Sequence, residues 1–113
     1  MNIFLNESQI ATTIEQSKQL SKYGLKPETA DMCYYRPYPN DIYKLTVREP
    51  YYGDDIPAWS LDRLVKLLNV GMKEHNGNDS RFYALDNTKN MYIQIIEAIE
   101  QLINRGYLKF YTV

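Results

Sequence analysis

Cys33 and His75 are the chain's single thiol and single imidazole, so they are the first residues to test for chemistry. Side by side, such a pair makes a nucleophile and its base. Their wide separation in sequence gives no sign that they meet. Cys33 sits in Ala30-Asp31-Met32-Cys33-Tyr34-Tyr35, a strand-like run where a free cysteine acts as a small buried hydrophobe. His75 falls beside an Asn-Gly turn signal and is expected in solvent. Asp54-Asp55 could bind a divalent cation or work as paired carboxylates, but adjacent acids shortly before Pro57 read as a solvated loop. A transition-metal cage needs more ligands than one histidine and one cysteine supply. Mg²⁺ needs few protein ligands and stays open as a possibility. The five glycines are scattered, and neither G-x-x-x-x-G-K nor G-x-G-x-x-G occurs, so no phosphate-cradling loop is present. No catalytic residue, metal ligand or cofactor follows from these residues.

The more suggestive feature is aromatic. Eleven tyrosines occur, and Tyr34, Tyr35, Tyr38, Tyr43, Tyr51 and Tyr52 all fall in one stretch, YYRPYPNDIYKLTVREPYY. Arg36, Lys44 and Arg48 are interleaved with them. Tyrosine and arginine together are typical anchors of protein interfaces. The same mixture can stack bases and hold phosphates. The plain alternative is that tyrosine suits a strand that keeps its hydroxyl wet. Asp41 and Glu49 lower the local positive charge. The six tyrosines with Arg36 are therefore taken as a candidate protein-binding set. It would engage an unidentified protein partner or a second copy of the chain, with nucleic acid the less favoured ligand. The three classes of function differ in what they require. A protein-binding surface requires a contiguous exposed aromatic patch in neutral surroundings. A single-stranded nucleic-acid module requires Arg36, Lys44 and Arg48 to converge on one groove. A small enzyme requires a pocket holding at least two of Cys33, His75, Asp54 and Asp55.

Bulk properties narrow the field. With 113 residues, one domain is expected over positions 1–113, with residues 1–11 as a loosely packed arm. A formal net charge of -1 gives no general attraction to nucleic acid or to anionic lipid. One cysteine forbids an internal disulfide and fits a reducing compartment. MNIFLNESQI lacks the pattern of a secretory leader, and no run approaches the roughly 18 apolar residues of a membrane span. These features lead to the expectation of a cytoplasmic protein with no membrane contact.

The elements that would position these residues can be read from caps and periodicity. Thr12 with Glu15 forms a capping box for a helix over about 13–23, which Gly24 ends. Residues 30–35 and 42–48 read as strands, the second with Tyr43, Leu45 and Val47 on one face. In DDIPAWSLDRLVKLL, Ser60 is an N-cap, with Trp59 before it and Leu64 at the fourth helical position. Those two positions form a hydrophobic staple, so Trp59 is expected to be buried at the corner where the helix begins. Val70–His75 and Ser80–Leu85, around Asn76-Gly77, read as a hairpin. Tyr92, Ile95, Ile96, Ile99, Leu102 and Ile103 mark a third helix, capped by Asn87 or Thr88 and ended by Gly106. The tail 107–112 reads as a last strand. The resulting class is α+β, with three helices and a mostly antiparallel sheet. The expected order is α-β-β-α-β-β-α-β, with the helices on one face.

Four stretches, TIEQSKQL, ETADMCYY, IPAWSLDRLVKLL and IEAIEQLINRGYL, together resemble a family of small uncharacterised proteins of gut Bacteroidetes, their prophages and mobile elements. The resemblance runs over most of the chain in the same order. It implies a bacterial or phage setting and an intracellular accessory or adaptor protein, and it carries no site residues. Members of that family often have proline directly after the paired leucines, where this chain has Asn69-Val70.

Overall fold

The computed structural model describes residues 9–50, 53–76 and 90–113. The class is α+β, with three helices and one three-stranded antiparallel sheet among the described residues. In chain order the elements are α1 (Ile14–Lys22), β1 (Met32–Tyr35), β2 (Lys44–Thr46), β3 (Ile56–Ala58), α2 (Leu61–Asn76) and α3 (Met91–Asn104). The sheet order is β2-β1-β3, with Tyr34 opposite Leu45 on one side and Ile56 on the other. Pro57 lies in β3, an edge strand, where its missing N–H breaks no central ladder. The two long helices were expected to cover the sheet. Instead α2 and α3 pack chiefly on each other, and it is α1 that runs along β3. The reason lies in their wide apolar faces. Leu64, Leu67 and Leu68 from α2 and Ile95, Ile96, Ile99 and Leu102 from α3 close over Leu20, Leu25 and Leu108 in one buried cluster.

Several local expectations are corrected. The α1 cap is Thr13, not Thr12. The Thr13 hydroxyl accepts the Gln16 N–H at 3.1 Å, and the Gln16 side chain accepts the Thr13 N–H at 3.0 Å. A one-residue shift preserves the capping-box spacing and releases Thr12 for the interior. Val70–His75 is not a strand: it continues α2 to Asn76. No proline intervenes after Leu68, and Val70 and Met72 extend the core-facing stripe. The other arm of the expected hairpin, Ser80–Leu85, lies outside the described residues, as do Asn87 and Thr88. The α3 cap is Asn90, whose side-chain oxygen accepts the Ile93 N–H at 3.1 Å. The tail is a 3₁₀ turn at Lys109–Tyr111, not a strand. It still docks on the end of α1, with Lys26 N–H donating to the Tyr111 carbonyl at 2.8 Å and Leu25 bridging Thr112. Among the described residues the order is thus α-β-β-β-α-α.

Gly71 explains how α2 and α3 approach so closely. A Cβ there would lie 2.5 Å from Leu102 Cδ1 and 3.2 Å from Leu108 Cγ, both on fully buried side chains. Alanine normally gains about 1 kcal/mol over glycine inside a helix. Overpacking a tight core costs about 1–3 kcal/mol, and a branched side chain adds two more carbons to the clash. Gly71→Val is therefore expected to destabilise the fold by about 2 kcal/mol, read from the midpoint of urea unfolding.

The corner ahead of α2 is built as the spacing requires. Trp59 and Leu64 are both 0% exposed and share the core cluster. Ser60 caps the helix by accepting the Arg63 N–H at 3.2 Å, and its own N–H and hydroxyl are both held by the Asp31 carboxylate. The indole N–H donates to the Thr29 hydroxyl at 2.9 Å, which in turn donates to the Lys26 carbonyl at 2.6 Å. Thr12 and Trp59 exchange two more bonds. The Thr12 N–H donates to the Trp59 carbonyl at 2.9 Å, and the Trp59 N–H to the Thr12 hydroxyl at 3.1 Å. Ser17 completes the buried hydroxyl pair at 2.7 Å from Thr12. One tryptophan thus ties the segment before α1, the turn after it and the start of α2.

Candidate functional site

The segment from Tyr34 to Arg48 runs along β1, turns through Pro37-Tyr38-Pro39 and returns along β2. Strand alternation divides its aromatics between two faces. Tyr34 shares a face with Met32 and packs with Leu45 against Ala11 and Ala58. Its hydroxyl donates to the Thr12 carbonyl at 2.7 Å, and burial raises its pKa. Tyr35 shares the other face with Cys33 and lies under the Arg48 guanidinium, 5.3 Å from the ring centre. The Tyr43 ring lies under Arg36 at 4.7 Å, and its hydroxyl donates to the Asp54 carbonyl at 3.2 Å. Tyr34, Tyr35 and Tyr43 are half-buried and act as struts. Tyr38 is different, being 69% exposed at the tip of the turn. Tyr51 and Tyr52 lie outside the described residues.

A cleft of about 530 Å³ opens beside this turn, lined by Tyr35, Arg36, Pro37, Tyr38, Pro39, Arg48, Asp54 and Asp55. Its charges are matched pairwise. Arg36 meets Asp54 at 3.4 Å, and Arg48 meets Asp55 at 3.1 Å. The first pair is a surface pair, with the Asp54 side chain 53% exposed, and contributes at most about 1 kcal/mol. The second is sheltered: the Asp55 side chain is 2% exposed. Two arginines do line one cleft, as a nucleic-acid groove would require, but each already faces a carboxylate. Lys44 stands exposed on β2 and is not part of the lining.

The cleft also holds Asp54 and Asp55 together, the arrangement set out for an enzyme. Neighbours in sequence, they turn to different arginines and so brace the cleft walls. Cys33 is fully buried on the sheet face near Arg48 and Asp55, and burial raises its pKa, which disfavours the nucleophilic thiolate. His75 belongs to the last turn of α2. Among the described residues, no group of three or more His, Cys, Asp and Glu is placed to hold a metal. No helix of the described residues is long and apolar enough to cross a membrane.

Comparison with protein-family models, curated proteins and solved structures finds no match. Two exposed large apolar residues of this segment stand outside the tyrosine set: Ile42 and Val47, 84% and 78% exposed. Composition drew attention to tyrosine, whereas these aliphatics lie in a run whose alternation suggested a half-buried strand.

Buried and half-buried tyrosines give the fold an alkaline limit. Burial raises the pKa of Tyr34, and it is also the largest cause of the raised pKa values of Tyr92 and Tyr23. A raised folded-state pKa means the fold favours the neutral phenol. The stabilisation is complete below the unfolded pKa of about 10 and is lost as pH rises through the folded values. Urea midpoints are expected to fall as pH rises above about 10, and less steeply in Tyr34→Phe.

Proposed function

We propose that the protein is a non-catalytic cytoplasmic accessory or adaptor protein, of the phage-like or mobile-element kind implied by its resemblance, that binds a protein partner through the face carried by residues 34–52. The observation behind this reading is the division of side chains along that segment. Its cleft arginines already face carboxylates, while Tyr38, Ile42 and Val47 stand in solvent. Three large apolar side chains exposed within one short segment support its reading as an interaction site. Within the candidate set, Tyr38 offers the exposed ring. Tyr34, Tyr35, Tyr43 and Arg36 shape the support beneath it. Nucleic acid is the weaker ligand because a phosphate would have to compete with Asp54 and Asp55 for the same guanidinium groups.

Affinity capture of the tagged protein from the cell that carries its gene, read by mass spectrometry, tests this. A defined protein recovered in near-stoichiometric amount at both low and high salt is expected. Reproducible recovery of nucleic acid alone, lost at high salt, would replace the reading with the nucleic-acid one.

A further inference from the structure

Leu108 is held in a strained conformation. With φ 65° and ψ 29°, it is the one non-glycine residue of positive φ among the described residues, and its side chain is fully buried. Left-handed backbone is costly for a residue with a Cβ and persists where surrounding contacts enforce it. Contacts from two helices do so here. Gly71 on α2 leaves the room that Leu108 fills, and Leu102 on α3 shares the same buried cluster. Three residues on from Gly71, and so on the same side of α2, the Glu74 carboxylate accepts the Leu108 N–H at 2.9 Å.

Beyond Leu108 the chain is lightly held. None of the side chains of Lys109–Val113 is buried, and Phe110 and Val113 are 85% and 95% exposed. Tyr111 only flanks the core cluster. Two backbone bonds join this stretch to the end of α1: the Lys26 N–H donates to the Tyr111 carbonyl at 2.8 Å, and the Val113 N–H to the Gly24 carbonyl at 2.6 Å. Ahead of Leu108, the exposed Gly106 at φ 91° offers a pivot between α3 and the segment.

We propose that Leu108–Val113 is a latch with Glu74 as its catch, and that it opens as one unit while α1, α2 and α3 stay packed. Opening withdraws Leu108 from its seat between Gly71 and Leu102 and frees the end of α1. The loss is one buried leucine and a few hydrogen bonds that water replaces, and the strain at Leu108 is relieved in return. Segments with few buried contacts and exposed backbone bonds open locally at less cost than the whole fold. The latch does not rest on the partner-binding reading of residues 34–52.

Native-state amide exchange of the whole isotope-labelled protein tests this. The Lys26, Leu108 and Val113 amides are expected to share one opening equilibrium. They should be less protected than Ile96 and Ile99 in α3, and nearly insensitive to low urea. Glu74 is exposed, so its variants keep the fold. Glu74→Ala is expected to favour latch opening about tenfold, through loss of a hydrogen bond to a charged group. Glu74→Gln, which keeps an acceptor oxygen, should favour it less. Ile95→Val, which trims a buried side chain of α3, is expected to weaken protection of Ile96 and Ile99 about fivefold. It should leave the latch amides unchanged, because α3 is still packed when the latch is open. Latch amides as protected as Ile99, and weakened with it by Ile95→Val, would show that the segment opens only with the whole fold. Latch exchange unchanged by Glu74→Ala would remove Glu74 as the catch. Either result overturns the proposal.

Discussion

Trp59→Ala is expected to lower the stability of the fold by about 4 kcal/mol, read as a fall in the urea midpoint. The indole is 0% exposed and lies in the main core cluster with Leu20, Leu64 and Ile95. Truncating a large buried aromatic loses its transfer free energy and leaves a cavity that relaxes only in part. Small domains have only about 5–15 kcal/mol in total, so this one change removes a large share. Trp59→Phe separates the two contributions. It keeps most of the apolar bulk but leaves the Thr29 hydroxyl without its indole donor, and about 1–2 kcal/mol is expected. An alanine variant as stable as wild type would show that Trp59 does not hold the corner.

The second large effect is electrostatic and depends on pH. Arg48→Met is expected to destabilise the fold by about 3 kcal/mol at neutral pH. The methionine fills much of the stem's volume but leaves the nearly buried Asp55 carboxylate without its guanidinium. The penalty belongs to the ionised carboxylate, so it is full at neutral pH and is relieved as acid neutralises the carboxyl in the fold. Unfolding midpoints of wild type and variant should converge as pH is lowered toward about 4. Arg36→Met, which removes a pair on the open side of the same cleft, is expected to change stability by less than about 1 kcal/mol. Equal effects at the two arginines, or a gap that does not close in acid, would contradict the burial argument.

Features set by neighbours a few residues apart were legible in the sequence. The Trp59–Ser60–Leu64 staple, the α3 stripe and the left-handed Gly24 and Gly106 all depend on short spacings and backbone sterics. What failed depended on contacts made across the fold. Val70–His75 looked like a hairpin arm because Asn76-Gly77 is a strong turn signal. The docking of Gly71 against Leu102 and Leu108 keeps that stretch in α2. β3 was hidden in a proline-bearing approach to the helix because only its pairing with β1 makes it a strand. The tyrosine cluster could be seen as a cluster, but its division could not. Strand parity, the arginines stacked over Tyr35 and Tyr43 and the Tyr34 bond to Thr12 leave Tyr38 as its exposed ring among the described residues.

Quantitative affinity capture with wild type beside the double variant Tyr38→Ser with Val47→Ser tests the functional reading most directly. Both side chains are exposed, so the variant should unfold at the same urea concentration as wild type. One protein partner, recovered with wild type at low and high salt and reduced at least about tenfold with the variant, is the expected result. Partner recovery unchanged by the two substitutions would contradict the assignment of this face.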